Sequence, residues 1–347
     1  MRTNGIPKIE RVQPAAAIPG GEVTIHGSGF ANGNHARPEA HFGMSAGTVL
    51  LASENMLIAR VPEDADGGAV RVHVGDADSQ PFPIAIGAMV ADNLHPVANP
   101  AVDRDGNVYV TFSGQRGQKV AVSLYKIAPN RTVKPYITEL VNPTGLAIGR
   151  DGALYVSCRN DGTIHRVLPD GSSEKWVEGM GIATGIAFDP AGNLYVGDRS
   201  GTIFKIGADR QIFVFATLEP SMSAYHFAFH PNGDLYVSGP TTSSFDRIYR
   251  INPAGEVEVF YKGLGRPQGM AFDRAGNLYV AASLAGKRGI VRISPDGRAE
   301  LALSGNNIVG IAIGPAHHAY IVTSFAQPPS GALYSVEWNV EGAALTA

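Results

Sequence analysis

The chain has 347 residues, a formal charge of −3 and a pI near 6.4, and its 28 basic side chains are scattered, which leaves no electrostatic footprint for nucleic acid. No apolar stretch approaches the length that spans a bilayer, and a single cysteine, Cys158, excludes an intramolecular disulfide. With 42 glycines and 23 prolines the chain is poor material for stacked helices, whose interiors both residues disrupt, so an all-β fold is expected.

The opening residues, MRTNGIPKIE, lack the apolar core of an export signal, so the expected location is cytoplasmic by default, or exported if a leader was removed. Residues 7–30 read PKIERVQPAAAIPGGEVTIHGSGF: a strand, a proline, a glycine pair, then a T-I-x-G-x-G-F run. Alternating apolar residues continue through GTVLLASENMLIARVPE and GGAVRVHVGD, and PFPIAI closes the unit. This opening resembles the IPT/TIG domain, which implies a small immunoglobulin-like sandwich over residues 1–87 and a possible protein partner.

Residues 88–347 carry six copies of one phrase, GNVYV, GALYV, GNLYV, GDLYV, GNLYV and HAYIV. Their tyrosines, Tyr109, Tyr155, Tyr195, Tyr236, Tyr279 and Tyr320, are spaced by 46, 40, 41, 43 and 41 residues, enough for four short strands and their turns. Runs such as TGIAFDPAGNLYV spell a tight antiparallel hairpin. The period therefore predicts a six-bladed β-propeller of like blades. The first strand of each copy holds an alanine (Ala101, Ala147, Ala187, Ala228, Ala271, Ala312), a small side chain suited to the crowded axis. Two residues before it stands a glycine in four copies, replaced by Asn99 and His226 in the others. Little chain follows the third strand of the last copy, so residues near 86–91 are expected to supply its fourth strand and close the ring.

Register places candidate ligand residues at the mouth of the axial cavity. Starts of the inner strands contribute Asn99, Thr144, Thr184, Tyr225, His226 and Gln268, and loops after the second strands contribute Asp198, Arg159 and Arg199. The two arginines stand four residues beyond their tyrosines in adjacent copies, a spacing that suits a paired anion clamp, unless each merely pairs with Asp161 or Asp198 on a solvated rim. His226 replaces a template glycine, and a neutral imidazole there can act as acid or base with Tyr225 as its partner; hydrogen-bonded packing is the competing reading.

The phrases NPTGLAIGRDGALYV and RPQGMAFDRAGNLYV resemble the NHL repeat and the SMP-30/gluconolactonase group of six-bladed propellers. That resemblance implies a divalent cation held by carboxylates and asparagines of the inner strands. The matching positions here are Ala98, Thr144 or Thr184, Tyr225 and Gln268, none of them anionic, so no metal and no other cofactor is expected. Three functions follow from these residues: a propeller that binds a small polar or anionic, sugar-acid-like molecule; a metal-independent lyase or hydrolase of lactonase type in the same cavity; and a protein-interaction platform.

Overall fold

The computed structural model describes residues 6–31, 37–243, 246–315, 317–325 and 330–343. Its regular elements are all strands, and among the described residues no helix is long and apolar enough to cross a membrane.

The N-terminal unit is an antiparallel sheet that closes around Val23, Ile25, Phe30, Phe42, Leu57, Val70 and Val72, all buried. Its strands alternate because one face is core and the other solvent: Glu22–Ser28 and Ala69–Val74 bury every second residue. PFPIAI divides between two sheets. Phe82–Pro83 pairs with Ala69–Val74, whereas Ala85–Ile86 leaves the sandwich and runs parallel to Ala16–Ala17.

The remaining strands form a propeller-like ring. Its innermost strands are Ala101–Val102, Pro143–Ile148, Ala183–Phe188, His226–Phe229, Met270–Phe272 and Ile308–Ile313, and each touches the next in a closed cycle. The sequence period predicts six like blades, and five sheets have the expected four-stranded form. The repeat around Tyr279 departs from it. Its strands from Met270–Phe272 out to Ala299–Ser304 continue into Ala16–Ala17 and Ala85–Ile86, giving a six-stranded sheet shared with the N-terminal unit. The physical reason is an outer edge that finds backbone partners: the Ile18 amide donates to the Ser304 carbonyl at 2.9 Å and the Glu22 amide to Ser304 Oγ at 2.8 Å. Ring closure also uses early chain, through Ala88–Leu94 against Gly331–Glu337, with Ala88 opposite Ser335 and Leu94 opposite Gly331.

The repeated tyrosine joins blades. Tyr195 meets Phe229 of the next inner strand at 5.0 Å between centroids and Phe215 of its own outer strand at 4.9 Å, both edge to face. Tyr155 repeats this with Phe188 and Trp176, and Tyr236 with Phe272 and Phe260. The phenol of Tyr195 donates to Asp189 in its own hairpin turn, as Tyr109 does to Asp103 and Tyr279 to Asp273. One residue type thereby ties inner strand, outer strand and turn together.

The template glycines mark close approach at the axis. A Cβ on Gly185 would lie 2.3 Å from the Tyr225 carbonyl of the next blade, and one on Gly145 would lie 2.4 Å from the Thr184 carbonyl. Tyr195→Ala is expected to cost about 3–5 kcal/mol and Tyr195→Phe about 1 kcal/mol in denaturant titrations, since the phenyl ring carries the packing and the hydroxyl adds one hydrogen bond. Gly185→Ala should cost about 1–3 kcal/mol, against about 0.5 kcal/mol or less for Gly68→Ala, where an added Cβ meets its nearest neighbour at 3.6 Å.

Candidate functional site

Two cavities lie near the axis. The first is a channel of about 260 Å³ along the inner strands, walled by the repeat alanines and by Phe188, Phe229 and Phe272. Alanine at that place leaves the axis open but apolar, so the channel offers few polar contacts. Asn99 and His226 are the two candidates that reach it. The amide of Asn99 is committed to the ring: Nδ2 donates to the Met270 carbonyl at 2.8 Å, and Oδ1 accepts from the Ile311 amide at 3.1 Å. His226 is 3% exposed, and burial pushes its imidazole pKa down to about 4, so the ring is neutral near pH 7.

The second cavity, about 620 Å³, opens on the face where the inner strands begin. Gln268 lies in its wall, as do Val309, Ser283 and Ser324, which the same register also places at the mouth. Around it stand Arg266, Arg288, His95, Ser283 and Asn307, and among the described residues no aspartate or glutamate lines the space. Arg266 and Arg288 are exposed and form no ion pair with a described residue. His95 Nδ1 sits within hydrogen-bond distance of the Ser113 carbonyl, which only accepts. The proton of a neutral His95 therefore resides on Nδ1, and Nε2 carries the lone pair.

The other candidates fasten the walls of the ring. Thr144 and Thr184 are 1% exposed; Thr144 donates to the Asn142 carbonyl, and Thr184 donates to the Gly197 carbonyl while accepting from the Tyr225 amide at 3.1 Å. Tyr225 turns away from the channel and gives its phenol to the Glu219 carbonyl, and burial pushes its pKa up to about 12. Asp198 accepts from the Ile182 amide at 2.8 Å and from the Ser200 hydroxyl. Tyr225 and His226, adjacent on an extended chain, point to opposite sides, so they do not form one acid–base pair.

Arg159 and Arg199 do not take the carboxylates that the solvated-rim reading assigns them. Arg159 donates to the Gly114 carbonyl, Arg199 donates to the carbonyls of Ser221 and Met222, and Asp161 accepts from Thr163. Burial, with Arg199 and Arg116 nearby, lowers the Arg159 pKa from its usual range. Neither arginine is in the wall of the large cavity; their acceptors Gly114 and Met222 are sequence neighbours of Ser113, the partner of His95, and of Ser223, which lines the space.

The positions that resemblance assigns to a divalent cation do not fit one. Ala98 has no donor, Thr144, Thr184 and Tyr225 use their oxygens on backbone groups, and Gln268 is neutral. Among the described residues, no three His, Cys, Asp or Glu side chains converge to hold a metal.

Register finds Gln268, Val309, Ser283 and Ser324 of the large cavity but misses His95, Ser223, Arg266, Arg288 and Asn307, because it counts the mouth from too late a position. Five residues before each repeat alanine stand Pro96, Asn142, Ile182, Ser223, Arg266 and Asn307, and four of these (Pro96, Ser223, Arg266, Asn307) line the cavity. The substitution of Arg266 for Asn142 in otherwise matching phrases, RPQGMA and NPTGLA, was the available signal.

Residues 7–84 match the IPT/TIG domain family. None of the curated proteins matches the sequence. Among solved structures the chain is similar to an auxiliary nutrient binding protein from Bacteroides thetaiotaomicron (13% identity, TM-score 0.55, covering 96% of this chain and 98% of that one). It is also similar to a candidate gluconolactonase (19%, TM-score 0.60, 75% and 94%). A third similarity is to virginiamycin B lyase from Staphylococcus aureus (18%, TM-score 0.51, 67% and 79%). At these identities the likeness is one of fold: an IPT/TIG domain followed by a propeller-like ring.

Proposed function

We propose that the chain binds a small polar anion, of sugar-acid type, in the cavity where the inner strands begin. The domains are the sandwich, 1–87, and the ring, 88–347, in which the six-stranded sheet acts as the sixth blade. One observation carries the reading: the wall presents Arg266, Arg288, Gln268 and Asn307 with no carboxylate among the described residues to neutralise them. Arginine forks and amides are the donors that match a carboxylate and its flanking hydroxyls, and His95 Nε2 adds an acceptor for one of those hydroxyls. A volume of about 620 Å³ suits a monosaccharide acid or a disaccharide. The nutrient-binding role named for the Bacteroides neighbour supports the same class of function.

Calorimetric titration with glucuronate is expected to show one saturable site and glucose a much weaker one. Replacing both Arg266 and Arg288 by Ala should weaken glucuronate about 10–100-fold, from charge-assisted hydrogen bonds of about 1.5–3 kcal/mol. Acid and neutral sugar binding alike, or a double variant that binds as the parent does, would sink the reading.

The lyase or hydrolase alternative has one observation in its favour, the uncommitted Nε2 of His95 in a cationic cavity, which is the form a proton acceptor needs. His226 fits that role less well, because its buried ring stands in the apolar channel. Turnover of an aldonolactone or uronide by the wild type, abolished in His95→Gln with glucuronate binding retained, would establish it.

Burial of neutral His226 also links stability to pH. Its folded pKa, about 4, lies below the unfolded value of 6.5, so the unfolded chain binds the extra proton in that window. Stability is then full above about pH 6.5 and falls as pH drops towards 4, by up to about 3 kcal/mol from this group. Urea titrations at pH 7 and pH 4.5 should show a smaller acid loss for His226→Gln than for the wild type.

A further inference from the structure

A third cavity, about 620 Å³, lies on the flank of the ring, between the N-terminal unit and the sheet around Tyr279. Residues 11–15 of the N-terminal unit form one wall, and Leu284, Lys287 and Leu301 of the ring form the other. Both walls are fixed to each other by backbone pairing. Ala16–Ala17 runs parallel to Ala299–Ser304 on one side and to Ala85–Ile86 on the other, so the cleft is present without a ligand.

The chemistry of the lining is specific. Tyr279 and Trp338 meet edge to face at 5.2 Å between centroids and supply an aromatic surface. Three cations reach the space, Arg11, Lys287 and Arg292, against one carboxylate, Glu300. Arg292 is already held, donating to Glu300 at 2.8 Å and to Asn277 Oδ1 at 3.2 Å. Arg11 and Lys287 are exposed and form no ion pair with a described residue. The cleft thus combines an aromatic and aliphatic lining, Tyr279, Trp338, Leu284 and Leu301, with two exposed cations that have no ion-pair partner among the described residues, one from each domain.

From this combination we infer that the interdomain cleft is a binding site for an aromatic carboxylate, whose ring rests on Trp338 and Leu301 and whose carboxylate meets Arg11 and Lys287. The site is separate from the sugar-acid cavity, and it exists only where the two domains are joined. A neutral aromatic of the same shape keeps the apolar contact and loses the charge contact.

The test uses the full chain and 1-naphthoate, with 1-naphthalenemethanol as the neutral counterpart. The chain has two tryptophans, and Trp176→Phe leaves Trp338 as the sole reporter. Saturable quenching of Trp338 by naphthoate is expected, with binding about tenfold weaker for the alcohol and for Arg11→Gln combined with Lys287→Gln, since exposed pairs contribute modestly. Calorimetry on the chain with both tryptophans gives the same comparison independently of how well Trp176→Phe folds. Replacing Arg266 and Arg288 should leave naphthoate binding unchanged. No saturable binding, equal binding of acid and alcohol, or full retention in the Arg11, Lys287 variant would overturn the site; loss in the Arg266, Arg288 variant would overturn its independence.

Discussion

Everything in the ring depends on how one blade grips the next. A propeller has no central core of its own; each sheet is stable because its neighbour covers its face. Here the grip is made by Tyr155, Tyr195 and Tyr236, each set edge to face against an aromatic side chain that ends the following inner strand. The hydrogen bonds from Tyr155 and Tyr195 to turn aspartates fix the ring planes, so the angle between those blades is set by the side chains that hold them. With the blade angle set, the inner strands converge until, at four of the six places, an added Cβ would meet neighbouring atoms closer than van der Waals contact.

That convergence determines where chemistry can occur. Near the axis, Gly145, Gly185, Gly269 and Gly310 bring backbones into contact, and Asn99 uses both ends of its amide to stitch three inner strands together. Below this constriction the repeat alanines leave an apolar channel. On the other side the loops spread, and polar side chains face a space wide enough for a small molecule. Asymmetry follows from the same geometry. The cavity is walled by Ser223, Arg266, Gln268, Asn307 and His95, whereas in the corresponding loops Asn142 is bound to the backbone of Gly114 and Gly117 and the Ile182 amide donates to the Asp198 carboxylate.

Much of the fold was legible in the sequence because its signals are local and repeated. Tyrosine spacing, D-x-x-G turns and alternating apolar residues state blade length and hairpin position directly, and the T-I-x-G-x-G-F run at residues 24–30 identifies the sandwich. The six-stranded sheet was not legible: Ala16–Ala17 and Ala85–Ile86 are two residues long, and their parallel partners are distant in sequence. The site was legible only in part. Counting from the alanine finds Gln268 and His226, but a strand sends alternate side chains to opposite sides, and burial then decides what each can do. Thr184, Tyr225 and Asp198 have the right chemistry for a ligand and spend it on backbone groups. Arg288 carries no mark in the sequence, and Arg266 is marked only by standing where the matching phrase has Asn142; that no aspartate or glutamate among the described residues shares their cavity is visible only in the fold.

The seam between the two domains has a consequence for synthesis. Residues 16–17 and 88–94 are made early, yet their partners at 299–304 and 331–337 are made last. While the chain emerges from the ribosome, a translated sandwich must wait with its seam unpaired through about 215 further residues, and no blade sequence in between can complete it. Docking of the first domain therefore waits for residues 299–304, and closure of the ring for residues 331–337. A truncated product lacking the last repeat would leave residues 88–94 without their partner strand, an open edge that invites pairing with another nascent copy.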